Sequence, residues 1–475
     1  MMARGMRDTG VAAGKIFHAE ARCARDEVVG LPERSEPEGP QGAARGGGAE
    51  REMRDSGVDW IGKIPEGWKV MRLKHLLIQK VESSMSLVKV GLENIESGTG
   101  KYIDSNARFE GNGISFEKGD ILYGKLRPYL SKIWLAEFAG NAIGDFFVYS
   151  VRQNYIGGYA KYVMLSPSFT DVVNNSTYGA KMPRVAAEFL SNLYFPFPPL
   201  AEQKAIAAYL DEKCAAIDAA VAEAKKGIEE YKAWKKSLIF EAVTGKNKCK
   251  IENVKCKMKH SGIPWIGDIP EGWEVVRLKN CAKVFGRIGF RGYTTADIVE
   301  EGEGALSLSP SNLKDIRMDY TKRTYISWAK YKESPEIQVR KGDIVFVKTG
   351  SSYGKSCIVD ELPCETTLNP QLVVLKDFLC NSRFLNYFLQ TPVIKYQVEL
   401  IVSGGTIPTM SQEKMGLWKI VLPPLAEQKA IADYLDEKCA AIDAMVTEKE
   451  SLIADLEAYK KSLIYETVTG KREVA

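Results

Sequence analysis

The sequence predicts an α+β protein built as a tandem repeat: two mixed α/β bodies, each closed by one long helix. Three observations carry this. Pro198–Lys246 reads PPLAEQKAIAAYLDEKCAAIDA, a variable middle and KKSLIFEAVTGK, and Pro423–Lys471 reads PPLAEQKAIADYLDEKCAAIDA, its own middle and KKSLIYETVTGK. Pro198 to Pro423 and Lys246 to Lys471 are both steps of 225 residues, and a fixed offset over a whole segment marks a duplicated unit. An opening block, DSGVDWIGKIPEGWKVMRL at Asp55–Leu73, returns as HSGIPWIGDIPEGWEVVRL at His260–Leu278 with a step of 205, so the second half gains twenty residues before its helix. Between opening block and helix the halves diverge, yet both mix short β-like runs with helical stretches, which places the chain in the α+β class.

Each repeated terminal segment reads as one long helix. Apolar residues fall at Leu210, Cys214, Ile217, Val221, Ala224, Ile228, Tyr231 and Leu238, and at Leu435, Cys439, Ile442, Val446, Ile453, Leu456 and Leu463. Steps alternating four and three are a heptad seam. Pro198-Pro199 and Pro423-Pro424 stop the preceding strand, and Glu202 and Glu427 suit the positive first turn. Gly245 and Gly470 stand where a C-cap is expected. About 45 residues at 1.5 Å each give a rod of roughly 65 Å. A pair of ordinary core helices is the plainer alternative, but the seam is narrow and few globular helices run this long. Two such seams predict that the helices pair, and they run antiparallel if the two bodies sit at opposite ends, with Leu210, Ile217, Val221 and Ile228 on one side and Leu435, Ile442, Val446 and Ile453 on the other.

Taken in order, residues 1–52 are rich in Gly, Ala, Arg and Glu without apolar periodicity and predict a disordered extension. The first body is expected over 53–198 and its helix over 199–246. A linker at 247–259, the second body at 260–423, its helix at 424–471 and a tail at 472–475 follow. IPEGW is a Pro/Gly turn after which Trp68 or Trp273 starts a strand, the indoles being packing anchors. Strands are expected at Asp120–Tyr123, Phe146–Val151, Asp343–Lys348 and Gln371–Leu375, and helices around Tyr155–Leu165 and Arg383–Leu400. Each body has a KGDI turn, Lys118–Ile121 and Lys341–Ile344.

Composition narrows the function. No run approaches the ~20 apolar residues that span a bilayer, and no secretory leader is visible. Nine cysteines without CxxC pairing read as reduced thiols of a cytoplasmic protein. Three dispersed histidines give no His-based metal site. GSSYGKS at Gly350–Ser356 has three residues between Gly and Gly-Lys where a phosphate-binding P-loop needs four. Asn369-Pro370-Gln371-Leu372 fails two of four positions of an amino-methyltransferase signature, and no nucleophile elbow or HExxH occurs. No catalytic residue is therefore assigned, nor any metal ligand.

The polar loops fit nucleic acid better. In the first body Lys125, Arg127, Tyr129 and Lys132 follow the KGDI strand, and Tyr178, Lys181 and Arg184 lie in TYGAKMPR. In the second body Lys348, Thr349, Ser351, Ser352, Tyr353 and Lys355 occupy the corresponding loop, and Thr406, Thr409, Ser411 and Gln412 lie in SGGTIPTMSQ. Lys and Arg neutralise phosphates, while Arg, Gln, Ser and Thr also read base edges. A net charge of +4 permits such binding without requiring it.

The PPLAEQ-helix tandem, the WIGxIPEGW blocks, the KGDI turns and the loops GKLRP, TYGAKMPR and GGTIPTMSQ resemble the specificity subunit of type I restriction–modification systems, over nearly everything after residue 50. The resemblance implies two target recognition domains, each reading one half of a bipartite site in double-stranded DNA, separated by two antiparallel coiled-coil helices in a pseudo-two-fold arrangement. It implies two modification subunits carrying S-adenosylmethionine and two restriction subunits using ATP and Mg, with no cofactor on this chain and no membrane. Two other readings stay open: a recognition subunit serving a fused nuclease–methyltransferase in trans, and a coiled-coil protein-binding scaffold. Salt-dependent binding to duplex DNA separates the scaffold from the rest.

Overall fold

Each half opens on a hairpin, Met53–Asp55 against Lys63–Pro65 and Met258–His260 against Asp268–Pro270. The computed structural model describes residues 51–84, 88–105, 107–179, 181–246, 257–287, 292–314, 317–350, 352–400 and 410–474. The expected extension through residue 50 and the linker at 247–256 lie outside the described residues. The chain divides after Glu52, and every element below belongs to the second unit.

The IPEGW turns bury their indoles, Trp68 at 1% and Trp273 at 0% exposure. Each indole also donates its N–H to the first-turn acid of its own half's long helix, Trp68 to Glu202 Oε2 at 2.9 Å and Trp273 to Glu427 Oε2 at 2.8 Å. The following strand, Lys69–Arg72 or Glu274–Arg277, pairs with the strand that leads into the helix, Tyr194–Phe197 or Lys419–Leu422. First and last strands thus close each body on itself.

The two bodies share an antiparallel sheet. In the first it comprises β1 (Leu77–Lys80), β2 (Ile121–Gly124), β3 (Ile133–Leu135) and β4 (Phe146–Val151), in the order β1-β4-β2-β3. In the second it comprises β5 (Lys283–Gly286), β6 (Ile344–Val347), β7 (Ser356–Ile358) and β8 (Leu372–Lys376), in the order β5-β8-β6-β7. The expected strands are found within a residue at each end. Both bodies pack a further sheet on this one, and there they diverge. Opening blocks are 205 residues apart but KGDI turns, Lys118 and Lys341, are 223 apart. Most of the gained length therefore precedes KGDI, where the second body adds strand Tyr325–Ser327 and helix Trp328–Lys332. The helical stretch expected at Arg383–Leu400 is two helices, Ser382–Leu389 and Pro392–Glu399. Pro392 cannot donate the amide a continuous helix needs, so it starts the second helix instead.

The long helices run Leu200–Val243 and Leu425–Val468, 44 residues each, or about 66 Å at 1.5 Å per residue. They are antiparallel. Lys460 Nζ lies 2.6 Å from Asp218 Oδ1, and Lys235 Nζ lies 2.6 Å from Asp443 Oδ1. The two pairs are copies of each other under the 225-residue step, so a pseudo-two-fold axis crosses the helices between them. Near it Gly227 faces the Lys449 side chain.

The seams are buried as expected at Leu210, Ile217, Ile228, Leu435 and Ile442, while Val221, Val446 and Ile453 are half-buried. They meet at their ends, the start of each seam against the end of the other, with Val221 and Leu456 packed beside the first of these contacts. Leu210, Cys214 and Ile217 share a core with Leu463, Ile464 and Val468 and with the first body's Tyr159, Phe169 and Phe195. Leu435 and Cys439 share the other with Ile239, Ala242 and Val243 and the second body's Phe384, Phe388 and Trp418. Antiparallel pairing brings the start of one helix beside the end of the other, and each body packs into the angle. Burying one such leucine stabilises the fold by about 1.5–3 kcal/mol.

The helix ends seat on the opposite half. Gly245 (φ +74°) meets Pro270 and Trp273, and Gly470 (φ +72°) meets Pro65 and Trp68, so a side chain there would collide as well as strain the backbone. Tyr159 donates its hydroxyl to Val468 O at 2.7 Å.

The repeated helix starts form matching sockets. Gln203 donates to Pro198 O and accepts the Ile156 amide at 2.9 Å, and Gln428 donates to Pro423 O and accepts the Asn381 amide at 2.7 Å. About two turns on, Tyr162 donates to Asp211 Oδ1 at 2.7 Å and Tyr387 to Asp436 Oδ1 at 2.8 Å. Among the described residues, no helix is long and apolar enough to cross a membrane.

Candidate nucleic-acid interface

In the first body β2 ends at Gly124, opposite Phe146 of β4. The chain beyond β2 is the loop Lys125–Lys132, and the residue before β4 is Asp145. Inside the loop the turn Pro128–Leu130 is flanked by Arg127 (φ 50°) and Ser131 (φ 45°), both left-handed. Non-glycine residues held there cost on the order of 1 kcal/mol or more and persist only where neighbours fix them. The neighbour is the loop Thr177–Arg184. The Arg127 amide donates to Pro183 O at 2.7 Å, and the Val185 amide to Lys125 O at 3.2 Å. Single β-bridges join Leu126 to Arg184 and Tyr178 to Arg184.

The two loops therefore form one tip, and its predicted residues divide into two sets. Arg127 and Lys181 are exposed, as are Tyr129 at 54% and Tyr178 at 60%. Lys125, Arg184 and Lys132 are tied inward. Asp145 accepts from Arg184 Nε at 3.3 Å and its terminal nitrogen at 2.9 Å, and lies 3.8 Å from Lys125 Nζ. The Lys125 ammonium also sits 5.5 Å from the Phe147 ring centroid. Lys132 Nζ donates to Leu92 O at 2.6 Å.

The second body repeats the plan with other chemistry. Lys348 follows β6 as Lys125 follows β2, and its amide donates to Gln371 O at 2.9 Å as the Lys125 amide does to Asp145 O. Gln371 is thus the counterpart of Asp145. Lys348, Thr349 and Ser352 are half-buried and Lys355 is exposed. Burial pushes the Lys348 ammonium below its ordinary range. Tyr353 packs against the second core, and its hydroxyl is buried without a partner among the described residues. Burial and then the Glu399 charge push that hydroxyl up to about 12. Ser411 accepts the Lys414 amide at 3.2 Å as the N-cap of helix Gln412–Gly416, and Gln412 Nε2 donates to Gly286 O at 2.9 Å. Ser411 and Gln412 therefore have internal hydrogen-bond partners, and the Tyr353 ring is taken up by the core. Ser351, Thr406 and Thr409 lie outside the described residues.

Two lobes of one design, joined by an antiparallel helix pair and each carrying a polar loop after its KGDI strand, define a tandem-repeat recognition subunit. The chain belongs to the type I restriction modification DNA specificity domain family, whose model matches residues 65–229 and 270–453. It is 25% identical over 443 residues to the type I restriction enzyme MjaVIII specificity subunit of Methanocaldococcus jannaschii, covering 87% of this chain and 94% of that one. The putative MjaX specificity subunit of the same organism is 26% identical over 449 residues, 87% of this chain and 96% of the relative. The fold is shared with a chain from a structural study of assembly and conformational transition in a type I restriction–modification system. There the TM-score is 0.66 at 19% identity, over 85% of this chain and 98% of the other.

Proposed function

We propose that this chain is the DNA sequence-specificity subunit of a type I restriction–modification complex, each body reading one half of a bipartite asymmetric site through its tip. The observation that supports this most is the family match to both halves of the chain, on either side of the pseudo-two-fold axis. It favours this reading over a fused nuclease–methyltransferase partner and over a protein-binding scaffold. Modification subunits dock on the helices and opening blocks and supply S-adenosylmethionine, and restriction subunits supply the ATP- and Mg-dependent steps, two of each, in the cytoplasm. The chain itself recognises and positions, without catalysis. A pseudo-two-fold object binds two different half-sites as a dimer binds a palindrome, with centres about one helical turn, roughly 10 bp, apart.

Exchanging residues 75–198 for the same span of a relative should change one half of the methylated motif, read by methylation mapping of the host genome. A change in both halves, or in neither, would mean that the bodies are not independent readers. Within the first tip Arg127→Ala is expected to weaken binding by about 1–3 kcal/mol at one half-site, most for one base pair, as removal of a guanine contact does. A uniform loss with a shallower salt dependence assigns Arg127 to phosphate, and unchanged affinity removes it from the interface.

A further inference from the structure

The two tips differ in charge at one equivalent position, and we infer that this position sets how each tip meets the DNA backbone. Asp145 is a positioning residue that keeps Lys125 and Arg184 off phosphate, whereas Gln371 leaves the Lys348 ammonium available to one. The inference rests on the reading of the tips as DNA contacts given above.

In the first tip a single carboxylate serves two cations. Both its oxygens accept from Arg184, and Lys125 Nζ lies 3.8 Å from one of them. The Arg184 and Asp145 side chains are 35% and 25% exposed. A phosphate approaching this pair would have to displace a carboxylate already in the fork geometry that guanidinium prefers. Arg184 is also the strand-like residue that bridges Leu126 and Tyr178. Holding its side chain fixes the platform from which Arg127, Tyr129, Tyr178 and Lys181 project. Base-reading groups are then presented without a competing pair of unspecific backbone cations beneath them.

The second tip lacks that clamp. No acid lies within ion-pair distance of Lys348 among the described residues, and the tract that follows at 401–409, IVSGGTIPT, contains none. The Gln371 side chain is exposed, and its amide oxygen is engaged only weakly, 3.4 Å from Asn369 Nδ2. A half-buried ammonium with no counter-ion gains from a phosphate beside it, because the anion offsets the cost of burial. One tip is thus electrostatically closed at its base and the other open.

The test uses the full chain assembled with its modification subunits, and a duplex carrying the motif returned by methylation mapping. Duplexes with either half-site scrambled serve as references, and the dependence of log Kobs on log salt is measured. Wild-type binding that ignores salt would sink the reading of the tips as DNA contacts, independently of Asp145. With salt dependence in place, Asp145→Asn should steepen the slope by about 0.9 for each phosphate newly neutralised, up to two. Preference for the intact over the scrambled first half-site should fall about tenfold, the size of one lost base contact. Gln371→Glu should make the slope shallower by about 0.9 and weaken the second half-site alone. Asp145→Asn that loses affinity at an unchanged slope would show the carboxylate merely holding the loop, and overturn the inference. If Asp145→Asn does not fold, Gln371→Glu decides, since its side chain is exposed: an unchanged slope overturns the inference.

Discussion

Inserting four residues into both long helices, between Ala222 and Gly227 and between Thr447 and Leu452, should lengthen the spacer of the methylated motif by about 2 bp and leave both half-sites unaltered. Four residues add about 6 Å of helix, and B-DNA rises 3.4 Å per base pair. The geometry tolerates the change because the insertion falls between the two cross-helix ion pairs. Asp218 and Lys460 are both on the first body's side of the insertion, and Lys235 and Asp443 are both on the second body's side. Each ion pair moves as a unit with its own end. Four residues exceed one helical turn by only about 40°, so the apolar face shifts rather than inverts. The same insertion in one helix alone offsets one rod against the other and should abolish methylation. An active double-insertion variant with the old spacer would mean that the bodies are held at their distance by something other than the helices.

Asp218→Leu should destabilise the protein by about 3 kcal/mol, because it leaves a buried ammonium unpaired. The Lys460 and Asp218 side chains are 11% and 19% exposed. Adding Lys460→Met should restore most of the loss, since an apolar pair of similar volume carries no desolvation cost. Urea midpoints of the two variants and wild type measure this, and a double variant no better than the single would assign the loss to packing. Acid provides a second readout. Burial alone would raise the Asp218 carboxyl, but hydrogen bonds from Lys101 and Lys460 outweigh it and hold the group below its ordinary value. A carboxylate more acidic when folded stabilises fully above its unfolded pKa of about 3.9, and that contribution is lost as pH falls through the folded value. Below about pH 3.9 wild type should therefore lose stability more steeply than the double variant.

What sequence could deliver followed the range of each interaction. The long helices, their C-cap glycines and the KGDI strands were legible because repeats and periodicity are local. The tips were legible as loops, since polar residues between strands have few other places to go. Which of their cations face outward was not. Asp145 meets Arg184 across 39 residues of chain, and no spacing rule connects an acid before one strand to a base in a distant loop. Gln371 was passed over as part of a failed methyltransferase motif, although an amide or acid directly before a central strand, opposite the end of a KGDI strand, is a signal that could have been followed. The helix seams were read as an antiparallel pair, and the start of each does lie against the end of the other. Sequence shows that a face is apolar, not that a globular body completes the core it enters.

Gln203 and Gln428, with Asp211 and Asp436, make the same two bonds to bodies that otherwise share little sequence. They act as a standard fitting. A recombination that keeps PPLAEQ and its first helical turns intact can deliver almost any insert bearing one well-placed amide and one tyrosine, and the insert will dock at a fixed angle to the rod. Target preference can then change in a single genetic event without renegotiating the scaffold, and the surface left for other subunits remains the same. The repeated segments are in that sense the interchange standard of the molecule, and the bodies are its cartridges.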